Sequence, residues 1–203
     1  MTEIKLCGLT RPCDIEAANE LMPEYIGFVF AAKSRRYVDA DRAEELKAEL
    51  HPGIRAVGVF VNEAQETVAH YLNRGIIDMA QLHGDEPETY IRQLRELTGK
   101  PLIRAFGIQT EQEIEAANLC SADYVLLDAA GGGSGKVFDW RLLERMKRPY
   151  FLAGGLGVDN VSRAVQLLHP FAVDVSSGIE TDGYKDKNKM AEFVSAVRKE
   201  DGL

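Results

Sequence analysis

An α/β fold, a single-domain (β/α)8 TIM barrel over residues 1–203, is predicted by three observations on this chain. Short β-rich runs alternate with longer stretches of helical periodicity, and eight such pairs can be read. No long linker or low-complexity tract interrupts the series, and a length of 203 residues with 45% hydrophobic side chains suits one core with little room for inserted domains. Alternating βα units imply parallel strands, and eight of them imply closure. Strands are expected near Ile4–Leu6, Tyr25–Phe30, Ala56–Phe60, Met79–Leu82, Leu102–Phe106, Tyr124–Leu127, Tyr150–Ala153 and Ala172–Val175, each followed by a helix. The clearest helices are Asp41–Leu50, with Ala43, Leu46 and Leu50 at helical spacing, and Val158–Leu168, with Val161, Ala164, Val165 and Leu168 on one face. An open doubly wound sheet is the competing architecture. The first turn, Cys7-Gly8-Leu9-Thr10-Arg11-Pro12, lacks the Gly-x-Gly-x-x-Gly of a dinucleotide fold.

Composition narrows the function. Thirty-two acidic against 24 basic residues give a net charge of -8 with no basic run, which argues against a nucleic-acid surface and favours a small molecule handled by a few local cations. The first residues lack a signal-peptide pattern, and no apolar stretch reaches the roughly 18 residues that span a bilayer, so a cytoplasmic protein without a membrane partner is expected. Cys7, Cys13 and Cys120 form neither an even set nor a Cys-x-x-Cys pair, so reduced thiols are expected, with no disulfide framework or structural zinc. Cys13 and Cys120 read as helix residues packing on the barrel.

Cys7 stands where an apolar strand pattern yields to turn residues, the place where a barrel presents catalytic groups. Strand alternation with Cys7 toward the mouth puts Lys5 inside and turns Ile4 and Leu6 to the helices. The same parity argument turns Gln81, His83, Arg104, Asp128, Asp174 and Ser176 toward the axis. Buried charges need partners. Because strands one and eight are neighbours in a closed barrel, Lys5 and Asp174 are an expected ion pair, which by itself accounts for both without catalysis. Cys7, Asp128 and Ser176 lie higher, at the mouth.

Two glycine-bearing segments carry a second signal: Ala153-Gly154-Gly155-Leu156 after strand seven and Ser176-Ser177-Gly178-Ile179-Glu180 after strand eight. Barrels often hold phosphate between these loops and the amino end of a short extra helix, where backbone N–H groups can approach an anion. A phosphorylated substrate follows, although two ordinary βα turns would look the same. Gly131-Gly132-Gly133-Ser134-Gly135-Lys136 is not a P-loop: Ala130 stands five residues before Gly135, and Val137 follows the lysine. A cover over the site is the functional reading of this loop, and a plain surface turn the other.

With these residues goes a series of motifs: Lys5-Leu6-Cys7-Gly8-Leu9-Thr10-Arg11, Gly27-Phe28-Val29-Phe30, Lys33-Ser34-Arg35-Arg36-Tyr37-Val38, Gly58-Val59-Phe60-Val61-Asn62, Gln81-Leu82-His83-Gly84, Leu126-Leu127-Asp128, Gly135-Lys136 with Phe138-Asp139-Trp140, Ala153-Gly154-Gly155-Leu156 and Asp174-Val175-Ser176-Ser177-Gly178. In this order, from strand one through strand eight, they resemble the phosphoribosylanthranilate isomerase family of tryptophan biosynthesis. The chain departs from the family pattern at Ala31-Ala32 and Arg35, where proline is frequent, and at Ala129-Ala130, where serine is common. None of these removes a charged or nucleophilic group.

The resemblance implies an Amadori rearrangement of N-(5-phosphoribosyl)anthranilate to 1-(2-carboxyphenylamino)-1-deoxyribulose 5-phosphate. Such a reaction needs an acid for the ring oxygen and a base for the proton on C2. By resemblance Asp128 is the acid and Cys7 the base, and Arg36 holds the anthranilate carboxylate; Gly154, Gly155, Ser176, Ser177 and Gly178, in the two loops already read as a phosphate site, are the other expected substrate-binding residues. His83 receives no catalytic role. A thiol of pKa about 8.5 must ionise readily, helped by cations or a helix amino end, whereas Asp128 must hold a proton well above its usual value of about 3.9. Protons move within one molecule, so neither metal nor organic cofactor is required. The expected protein is a monomer acting on a small molecule. The competing readings are a related aminoaldose isomerase, which would carry Asp in place of Cys7, a non-catalytic phosphosugar-binding barrel indifferent to Cys7 and Asp128, and a thiol redox protein, which would need a resolving cysteine.

Overall fold

The computed structural model describes residues 1–129, 140–200 and 202. Eight parallel strands close into a barrel in the order of the sequence: β1 (Glu3–Cys7), β2 (Tyr25–Val29), β3 (Arg55–Phe60), β4 (Met79–Leu82), β5 (Leu102–Ile108), β6 (Tyr124–Ala129), β7 (Tyr150–Leu152) and β8 (Ala172–Val175). The helices α1 (Pro12–Leu21), α2 (Ala40–Ala48), α3 (Gln65–Asn73), α4 (Glu88–Leu97), α5 (Glu111–Leu119), α6 (Val158–Leu168) and α7 (Lys187–Glu200) wrap the outside. After β6 the described residues form a 3-10 helix, Trp140–Arg145, where an α-helix was expected. The glycine segment 131–136 lies outside the described residues.

Local chemistry explains several boundaries. Asp39 starts α2 by accepting from the Arg42 N–H at 2.8 Å, and Thr110 starts α5 with Glu113 bonding back to its N–H at 2.7 Å. Helix α2 ends at Ala48, where the Glu49 and Leu50 N–H groups turn back to the Leu46 and Lys47 carbonyls at 3.3 and 3.0 Å, and Leu50, expected in the helix, stays buried beyond it.

Register decides which side chains face the axis. Lys5 pairs with Tyr25 on one side and Asp174 on the other, and Gln81 pairs with Ile103, Ala105 with Leu126, and Gly107 with Asp128. Tyr25, Val57, Met79, Ile103, Ala105, Leu126, Phe151, Ala153 and Ala172 form the inner core, while Ile4, Leu6, Leu102 and Val125 belong to the larger layer between strands and helices. The fully buried Val, Leu, Ile, Phe and Met side chains among these each contribute about 1.5–3 kcal/mol relative to exposure.

Arg104 does not point inward as expected. It pairs with Val125 and Leu82 on the outer face. There its guanidinium meets Glu86 at 3.2 Å and the Leu82 carbonyl at 3.1 Å, and lies over the Phe106 ring. Ile103 and Ala105 take the inward positions, so the axis is less polar than the expected set of charges suggested. Cys13 is also corrected: it lies on α1 but is exposed, because Ile15, Ala17 and Ala18 supply the buried face. Cys120, at the end of α5, is buried as expected.

Candidate active site

Above the inner core the axis turns polar. Lys5, wholly buried, donates to Asp174 at 2.9 Å, the expected ion pair between neighbouring strands. Burial alone would lower the Lys5 pKa, but Asp174 and then Cys7 more than offset it and hold the ammonium above its ordinary value. Two residues further along β1, Cys7 is 7% exposed at the carboxyl end of the strand. Burial pushes the thiol up, and the ammonium groups of Lys5 and Lys185 oppose that push. Space for the sulfur comes from Gly27 on β2: a Cβ there would stand 2.6 Å from Cys7 Sγ.

Chain segments far apart in sequence supply the second cation. After β8 the chain makes a turn at Ser176–Glu180, with the Glu180 N–H donating to the Ser177 carbonyl at 3.1 Å, and then a two-stranded hairpin, β9 (Glu180–Thr181) with β10 (Tyr184–Lys185). No extra helix forms between β8 and α7 among the described residues. The hairpin returns Lys185 over the mouth, where Nζ donates to the Ser176 carbonyl at 2.9 Å and to Glu180 Oε1 at 2.7 Å. Arg11 ties the hairpin down through the Lys185 carbonyl at 2.6 Å. Burial lowers the Lys185 pKa, with Glu180 acting against it.

Arg36 lies beside this cluster in the loop before α2. Its Nε and Nη2 donate to the two carboxylate oxygens of Glu180 at 2.6 and 3.0 Å, and Arg35 adds a contact of 2.6 Å. Burial would raise the Glu180 pKa, but the hydrogen bonds and charges of Arg36 and Lys185 bring it down to about 2. The Arg36 side chain crosses over Gly8, whose φ is +82° and whose added Cβ would meet Arg36 Cδ at 2.4 Å and Ser176 Oγ at 3.3 Å. Cys7, Ser176 and Arg36 are thus brought to one side of the mouth.

Asp128 is on β6, three strands from β1 through β7 and β8. His83, just beyond β4, approaches Asp128 Oδ2 with Nε2 at 3.4 Å, and its Nδ1 is 2.8 Å from the Gln81 amide nitrogen. With that amide donating to Nδ1, the neutral ring carries its proton on Nε2 and offers it to Asp128. Asp128 Oδ1 is buried and takes no hydrogen bond from the described residues.

The loops after β7 and β8 lie against each other. Gly154 and Gly155 both have positive φ, and Gly157, the residue just before α6, bridges in parallel with Gly178. A Cβ at Gly178 would come 2.0 Å from the Leu156 carbonyl, so only glycine permits this closeness. Ser177 is exposed beside it. Residues given no role in the sequence reading, Glu180 and Lys185, prove central. Lys5 was read from the sequence as the partner of Asp174, two positions from Cys7 on the same face, whereas Lys185 reaches the site only through the hairpin.

A closed parallel barrel whose mouth gathers a thiol, two ammonium groups, a carboxylate and an anchored guanidinium defines a class of barrel enzyme equipped for proton transfer on an anionic substrate. Comparison with known proteins narrows the class: the model of the N-(5'-phosphoribosyl)anthranilate (PRA) isomerase family matches residues 4–196, and the chain belongs to that family of isomerases. The N-(5'-phosphoribosyl)anthranilate isomerase of Clostridium acetobutylicum is 44% identical, with 98% of this chain and 99% of that protein covered. That of Endomicrobium trichonymphae is 43% identical at 98% and 99% coverage. Among solved structures, the phosphoribosyl anthranilate isomerase of Thermotoga maritima superposes with a TM-score of 0.88 at 37% identity, covering 100% of both chains. A structure of a phosphoribosyl anthranilate isomerase in complex with reduced 1-(o-carboxyphenylamino)-1-deoxyribulose 5-phosphate gives 0.86 at 35% identity, again over 100% of both chains.

Proposed function

We propose that this phosphoribosylanthranilate isomerase of tryptophan biosynthesis performs its rearrangement with Asp128 as general acid and Cys7 as general base. Asp128 gives its proton to the furanose ring oxygen. The C1–O bond breaks as the anilino nitrogen lone pair forms the Schiff base. Cys7, as thiolate, takes the proton from C2, and the electron pair released forms the C1–C2 double bond of an enolamine, which tautomerises to the ketone. Arg36 receives the anthranilate carboxylate through charge-assisted hydrogen bonds. Gly154, Gly155, Ser176, Ser177 and Gly178 cradle the phosphate, with the amino end of α6 adding a favourable dipole.

The observation that carries this reading is the placement of a nearly buried thiol at the carboxyl end of β1, two positions beyond the buried Lys5 on the same face, with the Lys185 ammonium returned over the mouth by the hairpin. Both ammonium groups have carboxylate partners of their own, Lys5 in Asp174 and Lys185 in Glu180, and both still oppose the cost of burying a Cys7 thiolate. Cys7 faces no second cysteine for redox exchange in the described residues. The test is loss of fluorescence of phosphoribosylanthranilate generated in situ, with wild type, Cys7→Ser and Asp128→Asn compared. Turnover by wild type with both variants folded and reduced about 10²-fold or more supports the pair. Full activity in Cys7→Ser would require another base.

We infer further that the protein acts as a cytoplasmic monomer of one domain. No helix of the described residues is long and apolar enough to cross a membrane. The exposed large apolar residues, such as Leu97, Leu119, Leu167 and Tyr184, are distributed over α4, α5, α6 and the hairpin. Sedimentation equilibrium at micromolar concentration tests the assembly state, and a dimer mass would overturn it.

A further inference from the structure

Arg36 sits on an irregular loop and its side chain is 22% exposed, so nothing in its own segment fixes the direction of its guanidinium. Glu180 does. Its side chain is 5% exposed, and its oxygens accept from Arg36 Nε at 2.6 Å and Arg36 Nη2 at 3.0 Å, a two-pronged grip on one edge of the guanidinium. The same carboxylate is itself immobilised by Lys185 Nζ at 2.7 Å and Arg35 Nη2 at 2.6 Å. A guanidinium has five N–H groups in a rigid plane. Engaging Nε and one side of Nη2 leaves a second parallel pair, on Nη1 and the outer side of Nη2, directed away from Glu180. Three cations around one carboxylate also leave surplus positive charge at that free edge.

We propose that Glu180 is a positioning residue for substrate recognition: it grips Arg36 by the Nε edge so that the opposite edge meets the aromatic carboxylate of the substrate. The inference rests on the reading of Arg36 as the carboxylate-binding cation. It assigns to Glu180 a part in selecting carboxylated over plain anilines, a discrimination made by geometry and not by net charge.

Equilibrium binding separates these ideas. The probes are reduced 1-(2-carboxyphenylamino)-1-deoxyribulose 5-phosphate and the same molecule lacking the aromatic carboxylate, each titrated calorimetrically into wild type, Arg36→Ala, Glu180→Gln and Glu180→Asp. Glu180→Gln keeps the length and loses the charge. Glu180→Asp keeps the charge and withdraws the grip by one methylene. The ratio of the two dissociation constants is the readout, because phosphate contacts and folding losses act on both probes. Both Glu180 variants are expected to lower the preference for the carboxylated probe by about tenfold or more, with the corresponding loss in turnover falling on KM more than on kcat. A preference kept within about threefold in Glu180→Asp overturns the positioning role and leaves only a charge effect. If Arg36→Ala collapses the preference while the Glu180 variants retain it, the reading of Arg36 stands and the present inference falls. If Arg36→Ala itself retains it, both fall.

Discussion

Gly27→Ala tests the placement of the thiol with the smallest available change. Gly27 pairs with Cys7 across β1 and β2, and a Cβ on it would lie 2.6 Å from Cys7 Sγ, 3.1 Å from Cys7 Cα and 3.2 Å from Cys7 Cβ. Non-bonded carbon contacts rest at about 3.5–4.0 Å, so the sulfur must retreat by roughly 1 Å. A displacement of that size at a reacting group costs on the order of 10²-fold in rate, and overpacking costs about 1–3 kcal/mol of stability. The assay is kcat/KM from the fluorescence decay of phosphoribosylanthranilate, paired with urea unfolding. Cys7→Ala removes the sulfur, so adding it to Gly27→Ala should restore much of the lost stability while leaving the enzyme inactive, a coupling that a double-mutant cycle isolates. Activity within about threefold of wild type in a normally stable Gly27→Ala protein would refute the placement of Cys7 as the reacting group.

Lys5→Met leaves Asp174 buried without its partner and should cost about 3–5 kcal/mol in urea unfolding at constant m, with most of it recovered in the Lys5→Met, Asp174→Leu double variant. A loss confined to the single variant's activity, with stability unchanged, would contradict the buried pair. In a Cys13→Ser background, alkylation of Cys7 by iodoacetamide should accelerate with a midpoint above the ordinary thiol range, since burial raises its pKa, and Lys185→Met should move that midpoint further up. An unchanged or lowered midpoint in folded Lys185→Met would show that the ammonium does not act on the thiol. The Glu180 carboxyl titrates at about 2 in the folded protein, against about 4.3 unfolded. Its stabilisation is thus complete above the unfolded value and is lost as pH falls toward the folded one; Glu180→Gln should flatten the stability–pH curve in that window, and an unchanged slope would count against the cluster. Gly178→Ala drives a Cβ to 2.0 Å from the Leu156 carbonyl, so the β7 and β8 loops must part. KM and the inhibition constant for inorganic phosphate should rise together, and a change in neither would remove the phosphate from these loops.

Much of the barrel was legible in the chain because parallel strands buried on both faces read as short apolar runs between helical patterns, whatever the tertiary details. Met79–Leu82 and Ala172–Val175 appear with the boundaries expected, and Lys5 meets Asp174 because closure brings strands one and eight side by side. Arg104 shows where parity reasoning fails. A strand's face assignment depends on one anchored residue, and β5 had no residue comparable to Cys7 to anchor it. Its register with β4 and β6, settled by packing Ile103 and Ala105 inward, sends Arg104 out to Glu86.

The sequence by itself determined the fold class, the location of Cys7 and Asp128 at strand ends, and the glycines after β7 and β8, since these follow from local patterns and periodicity. Only the tertiary structure decided what surrounds the thiol and the guanidinium. Lys185 and Glu180 reach Cys7 and Arg36 through a hairpin that folds back over the mouth, and the Glu180 contact spans 144 positions in the chain. Such contacts come from chain segments that meet only after closure, and no periodicity along the chain encodes them.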